Sequence, residues 1–214
     1  MSANHPRVLG VLAGADMPLE QLNAWARSAD VVYAADGGGD RLLEAGVPPD
    51  TTIGDLDSIR SVLPFRRLIQ DPDQETSDCD KLLTLTERSG HNRITLIGLE
   101  GDRLDHVLAT LGSAVRSLLD VRLALRSGLG YILRGPAQQS FATSPGETAS
   151  LMPLSPCTGV SFSGVEWPLE NDELGLTAFV SLSNKSLGST VDVRLETGAA
   201  ALFFYSEDRR LPSW

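Results

Sequence analysis

"DVVYAADGGGDRLLEAG", residues 30–46, decides the fold class. Val31 to Ala35 run without a polar break, as a strand buried on both faces does, and end at Asp36. Gly37, Gly38 and Gly39 then open a short helical pattern through Arg41 and Leu42 that stops at Gly46. A strand passing through a glycine turn into a helix is half of a βαβ unit. Working outward, the rhythm repeats. "RVLGVLA" predicts a strand and "PLEQLNAWARSA" a helix on the N-terminal side. "FRRLIQD", "RITLIGLEG" and "VRLALRSG" predict strands downstream, interleaved with helices over "SDCDKLLTLTERSG" and "LDHVLATLGSAVRSLL". Near residue 135 the helix signals stop. From there short segments rich in Val, Leu, Phe and Thr alternate with Gly, Pro, Ser and Asn, the pattern of a β-sandwich or small barrel. The expectation is an α/β chain with a Rossmann-like parallel-sheet domain over 1–135 and an all-β sandwich domain over 136–214.

At 214 residues and 42% hydrophobic content, the chain can bury a substantial core. Its net charge of −10 argues against a nucleic-acid backbone or an anionic membrane as partner, since both demand clustered Lys and Arg. A nucleotide held through a bridging metal remains compatible with an acidic chain. Cys79 and Cys157 are too few for a disulfide framework, and the short apolar run at the N-terminus, broken by Gly10, Gly14 and Pro18, is neither a secretory signal nor a membrane span. These features point to a cytoplasmic protein.

The acids gather where predicted strands end, and in open parallel sheets that is where ligands bind. Asp36 follows its strand directly, and the glycines after it let a backbone approach a ligand while the helix N-terminus favours an anion; a plain tight turn explains the same residues. In "GDLDS", Asp55 and Asp57 stand two apart, so an extended segment points both carboxylates at one hard cation, whereas a turn would use them to cap Ser58 and its neighbours. "QDPDQETSDCDK" places Asp71, Asp73, Glu75, Asp78 and Asp80 within ten positions. Ser77 there is a suitable N-cap and first-turn acids suit the helix dipole, which leaves one or two of these acids as ligands. In "GLEGDRLDHVL", Arg103 and Asp105 form either a local ion pair or a divided site, with Arg103 on phosphate oxygens and Asp105 accepting a proton.

Taken together and in this order, these segments resemble the thiamine pyrophosphokinases. "DGGGDRL" (Asp36–Leu42) is similar to the family's DGGAN-R-L segment, "GDLDS" (Gly54–Ser58) to its GD-F-DS, "DQETSDC" (Asp73–Cys79) to its D-Q-x-x-T-D-F and "GDRLDH" (Gly101–His106) to its GGR-x-DH. "GVEWPLENDELGL" and "VSLSNKSLGSTVDVRLETG" resemble the family's G-x-x-W-x-L and S-x-S-N segments, so the likeness spans nearly the whole chain.

The resemblance implies transfer of the diphosphoryl group of ATP to the hydroxyethyl arm of thiamine, giving thiamine diphosphate and AMP. It implies Mg²⁺ held by Asp55, Asp57 and Asp78, and ATP as co-substrate contacting Asp36, Gly37, Gly38, Arg41, Gln74, Ser77 and Arg103. Catalysis falls to Asp55, Asp57, Asp78, Arg103 and Asp105; thiamine would meet Gln74, Asp105, Ser181, Ser183 and Asn184. A homodimer with a shared active site is also implied. The chain departs from the pattern at Ser77 (usually threonine), Cys79 (usually aromatic), Gly39 and Asp40 (usually Ala-Asn), and Lys185–Leu187, where some relatives carry an aromatic. Trp167 offers a face on which cationic thiamine could stack, or a core residue between strands. Asn184 equally suits a turn between two strands. A diphosphokinase of another alcohol, such as a pterin, and a non-catalytic nucleotide or vitamin sensor are the alternative functions.

Overall fold

The computed structural model describes residues 6–12, 17–57, 59–60, 65–101, 103–206 and 210–212. The chain is mixed α/β and divides into two compact units, Met1–Arg126 with Leu211–Trp214, and Ser127–Arg210. The change of sequence character near residue 135 falls inside the second unit. No helix among the described residues is long and apolar enough to cross a membrane.

The first unit contains β1 (Val8–Val11), α1 (Leu19–Ser28), β2 (Val31–Ala35), α2 (Gly37–Glu44), β3 (Thr51–Gly54), β4 (Leu68–Gln70), α3 (Asp78–Arg88), β5 (Arg93–Ile97), α4 (Leu104–Arg116) and β6 (Asp120–Leu125). Its strands lie in the order β6-β5-β1-β2-β3-β4, and each pairing is parallel. All four residues of β1 and the last four of β2 and β5 are buried, which is why these strands are continuous apolar runs. β3 escapes the sequence pattern. Its residues Thr51, Thr52, Ile53 and Gly54 include one large apolar side chain, yet all four are buried between β2 and β4.

The chain steps from β1 through β2 and β3 to β4 on one side, then returns with β5 to the other side of β1. At such a switch point the loops leaving neighbouring strands diverge and open a crevice at their carboxyl ends. Two helix starts are built there. α2 approaches β1 so closely that a Cβ on Gly38 would lie 2.3 Å from the carbonyl oxygens of both Val11 and Leu12. α3 begins with a reciprocal cap: the Ser77 hydroxyl accepts from the Asp80 N–H at 3.1 Å, and the Asp80 carboxylate accepts from the Ser77 N–H at 3.1 Å.

The second unit contains β7 (Gly128–Arg134), β8 (Ala137–Ala142), β9 (Thr148–Pro153), β10 (Cys157–Ser163), β11 (Leu169–Leu174), β12 (Ser181–Lys185), β13 (Thr190–Leu195) and β14 (Ala199–Tyr205). They pair antiparallel in two sets, β12-β9-β14-β7 and β11-β10-β13-β8. Both sets contribute to one core that includes Leu133, Leu151 and Phe204 from the first and Phe141, Phe162 and Val193 from the second. The period-2 signal is clearest in β13, where Val191, Val193 and Leu195 are buried and the residues between them exposed.

Candidate active site

A crevice of about 770 Å³ opens at the carboxyl ends of the parallel strands. Leu12 follows β1, Asp36 follows β2, Asp55 follows β3, and Gly98 and Leu99 follow β5, so each strand around the switch point delivers a residue to it.

Three acids converge there. Asp36, Asp55 and Asp57 each offer one carboxylate oxygen within 4.8 Å of the other two. Asp36 is buried and has φ 39° and ψ −114°, a backbone region that glycine favours and a side chain strains. It occupies the N-cap position of α2, but its carboxylate does not cap the helix and is directed elsewhere. Convergence of Asp55 and Asp57 does not come from the extended segment expected above. Leu56 between them has φ 69°, and the Asp57 N–H donates to Asp55 Oδ1 at 3.2 Å, so a tight left-handed turn brings the pair together. That N–H, followed by the Gln74 amide donating to Asp55 Oδ2 at 3.2 Å, holds the Asp55 carboxyl below its usual range. Ser58, the residue that a capping turn would have served, lies outside the described residues.

Asp78, the first residue of α3, stands beside this trio. Its Oδ1 and that of Asp36 each lie 3.3 Å from the point where Gly54 would carry a Cβ, so the missing side chain of Gly54 is what lets the two acids close in. Burial first, then the charge of Asp36, pushes the Asp78 carboxyl up, against the opposing charge of Lys81.

Of the other expected residues, Gly37, Arg41, Gln74 and Ser77 line the crevice. A Cβ at Gly37 would meet nothing within 4 Å, consistent with open space for a ligand. The Arg41 guanidinium reaches Glu44 at 2.7 Å and the Met17 carbonyl at 2.9 Å. Gly38 serves the close packing of α2 on β1. Ser77 spends its hydroxyl on the α3 cap. From α4 the crevice receives His106, Ala109 and Thr110. Arg103 and Asp105, at the start of α4, bind each other through two hydrogen bonds of 3.1 and 2.5 Å and are exposed; that pairing holds the Asp105 carboxyl below its usual range.

Among the residues without a role in the sequence reading are His106 and Lys81, which line the crevice, and Gly54, which lies against Asp36 and Asp78. Gly54 and His106 stood inside quoted motifs without a role of their own. Lys81 carried the better signal, a cation at the fourth position of a helix, where the dipole disfavours it, immediately before the buried Leu82 and Leu83.

In the second unit, Ser181, Ser183 and Asn184 lie in β12, not in a turn. The pairing with β9 shifts register between Ser181 and Asn184, and Ser183, with φ 54°, sits in that irregularity and is exposed. Asn184 is buried and its amide is committed to backbone. It accepts from the N–H groups of Trp167 (3.1 Å) and Lys185 (2.9 Å) and donates to the Trp167 carbonyl (2.7 Å). The Trp167 thus held is 58% exposed and is not a core residue.

Residues 22–124 match the model of the thiamin pyrophosphokinase catalytic domain, and residues 138–200 that of the thiamin pyrophosphokinase vitamin B1 binding domain. Thiamine pyrophosphokinase 2 of Arabidopsis thaliana is 30% identical over 190 residues, covering 73% of this chain and 71% of that protein. The chain belongs to the thiamine pyrophosphokinase family. Thiamine pyrophosphokinase 1 of Oryza sativa is 26% identical over 195 residues, covering 75% of this chain and 73% of that protein. Two solved structures share the fold. The thiamin pyrophosphokinase family protein of Enterococcus faecalis has a TM-score of 0.78 at 21% identity, covering 94% of this chain and 100% of that one. Thiamin pyrophosphokinase of Candida albicans has a TM-score of 0.79 at 15% identity, covering 94% and 89%.

Proposed function

We propose that this family member is an ATP-dependent thiamine diphosphokinase, forming thiamine diphosphate and AMP. The observation that carries the reading is the convergence of Asp36, Asp55 and Asp57 at the carboxyl ends of the sheet, in a chain whose two parts match the family's catalytic and vitamin-binding models. Three carboxylate oxygens with open crevice beside them suit a hard cation such as Mg²⁺, which takes few carboxylates alongside phosphate oxygens and water. When bound, that ion supplies charge neutralisation at the transferred phosphoryl groups. Asp36 joins Asp55 and Asp57 in holding it, and Asp78 completes the acidic wall.

The thiamine hydroxyl oxygen attacks the β-phosphorus, and the bond from that phosphorus to the bridging oxygen of AMP breaks. Gln74 orients Asp55 through its 3.2 Å hydrogen bond. The N-terminal N–H groups of α2, bared by Gly37, and Arg41 line the same crevice and suit the triphosphate. Arg103 leaves Asp105 for the phosphate oxygens, which frees Asp105 to accept the hydroxyl proton. Ser181 and Ser183 present the thiamine end, with Asn184 fixing the backbone of Trp167 so that its exposed face can stack on the cationic ring.

The first unit in this reading is Rossmann-like and the second a β-sandwich, and the enzyme is a cytoplasmic homodimer with a shared active site. Activity retained in full by a strict monomer at nanomolar concentration would refute the shared site. Incubation with ATP, Mg²⁺ and thiamine tests the reaction: AMP and thiamine diphosphate should form in equal amounts, and thiamine-independent ATP consumption would overturn it.

A further inference from the structure

Lys81 is a buried cation that the reaction above does not use. It is 5% exposed, on a helix whose Cys79, Leu82, Leu83 and Thr86 are buried as well. Its ammonium donates to the Asp71 carbonyl at 2.9 Å and lies 3.6 Å from Asp78 Oδ1. Asp71 in turn donates its N–H to the Gly54 carbonyl at 2.8 Å, at the residue whose missing side chain lets Asp36 and Asp78 approach. The ammonium is therefore fixed between the loop after β4 and the first turn of α3, against the acid cluster.

Each local term opposes a lysine at this position. Burial strips its hydration, ordering a four-carbon stem costs conformational entropy, and the start of a helix disfavours positive charge. The compensating term is electrostatic. Asp36, Asp55, Asp57 and Asp78 crowd four carboxylates into one wall of the crevice, and Lys81 is placed to neutralise part of that charge in the absence of a metal.

We propose that Lys81 is a positioning residue and resident counter-ion of the metal site, keeping Asp78 beside Asp36 before a divalent cation enters and limiting how tightly that cation is then held. The proposal rests on the metal-site reading given above. A unit charge and a divalent ion several ångströms apart repel, even at the dielectric constant of water, by roughly the free energy of a tenfold change in binding. A loosely held ion can enter and leave with its nucleotide.

The test is Mn²⁺ binding to the full chain without nucleotide, read by electron paramagnetic resonance, together with melting temperatures at zero and saturating Mn²⁺. Lys81→Met should bind Mn²⁺ roughly tenfold more tightly. It should also melt below the parent without metal, and the gap should narrow as Mn²⁺ saturates. Lys81→Arg, which keeps the charge, should stay near the parent in both measurements. Parent-like Mn²⁺ affinity in Lys81→Met, or a melting deficit that metal does not narrow, overturns the counter-ion role. If Lys81→Met does not fold, the double variant Lys81→Met/Asp78→Asn should, because it removes both charges; failure of the double variant assigns the lysine to packing alone and overturns the proposal. A parent protein that binds no Mn²⁺ overturns the metal-site reading itself, a result distinct from any change at Lys81.

Discussion

Replacing Asn184 by alanine separates a residue that touches thiamine from one that shapes the surface thiamine meets. The side chain is 1% exposed and makes three hydrogen bonds, two accepted from the N–H groups of Trp167 and Lys185 and one donated to the Trp167 carbonyl. A net hydrogen bond contributes roughly 0.5–1.5 kcal/mol, and buried backbone groups left without partners cost more, so Asn184→Ala should destabilise by about 2–4 kcal/mol. In a chain of this length each kcal/mol moves the melting temperature by about 2–4 °C, which predicts a fall of about 5–15 °C in differential scanning calorimetry. Asn184→Asp keeps the shape and both accepted bonds but sets a carboxylate oxygen against the Trp167 carbonyl, and should melt below the parent as well. Because the backbone of Trp167 loses its anchor, the KM for thiamine should rise in both variants while that for ATP stays constant. Ser183→Ala, at an exposed site, should raise the thiamine KM without moving the melting temperature. An Asn184→Ala protein that melts with the parent and loses only thiamine affinity would refute this reasoning, since the amide would then be spending its bonds on substrate.

Asp57→Asn should lower turnover by at least about a hundredfold while the metal-free protein melts no lower than the parent, because one of several crowded carboxylates is neutralised; an unchanged rate with normal Mg²⁺ dependence would remove Asp57 from the ligand set. Gly54→Ala places a methyl 3.0 Å from Asp36 Cβ and 3.3 Å from a carboxylate oxygen of both Asp36 and Asp78, so the two acids must separate. Turnover should fall at least about tenfold, measured with Mg²⁺ titrated, and retention of full rate would show that their spacing is not used. Asp105→Asn removes an exposed partner of Arg103 and should leave melting unchanged while lowering turnover roughly 10²- to 10⁴-fold; parent-like turnover would exclude Asp105 as the proton acceptor.

The α/β half was legible because strands buried on both faces leave uninterrupted apolar runs, and β1, β2 and β5 do so. β3 broke that rule. Its two threonines and its glycine carry no hydrophobic signal, and what buries them is their central place between β2 and β4 with α2 and α3 packed against the strand, a long-range fact. Acids at strand ends located the crevice for the same reason that strands were legible: the residue after an apolar run marks the carboxyl end of a strand. Which acids meet was not available from spacing. The trio depends on Asp36 at φ 39° and Leu56 at φ 69°, and neither aspartate nor leucine announces a left-handed backbone as glycine would.

Residue type was most misleading where a polar group serves the backbone. Asn184 belongs to a segment that resembles a substrate-contacting motif, yet its amide holds Trp167, whereas Ser77, legible as an N-cap from its place before the helix, does cap α3. Trp167 shows the converse. A tryptophan among strands suits a core, but here the buried asparagine anchors its main chain and leaves the ring exposed. Lys81 extends the same logic to charge, since besides Asp78 one turn away on its own helix it faces Asp55, an acid that sequence distance conceals. In each case the motif names the neighbourhood, and the side-chain partners, which the three-dimensional path alone creates, decide the role.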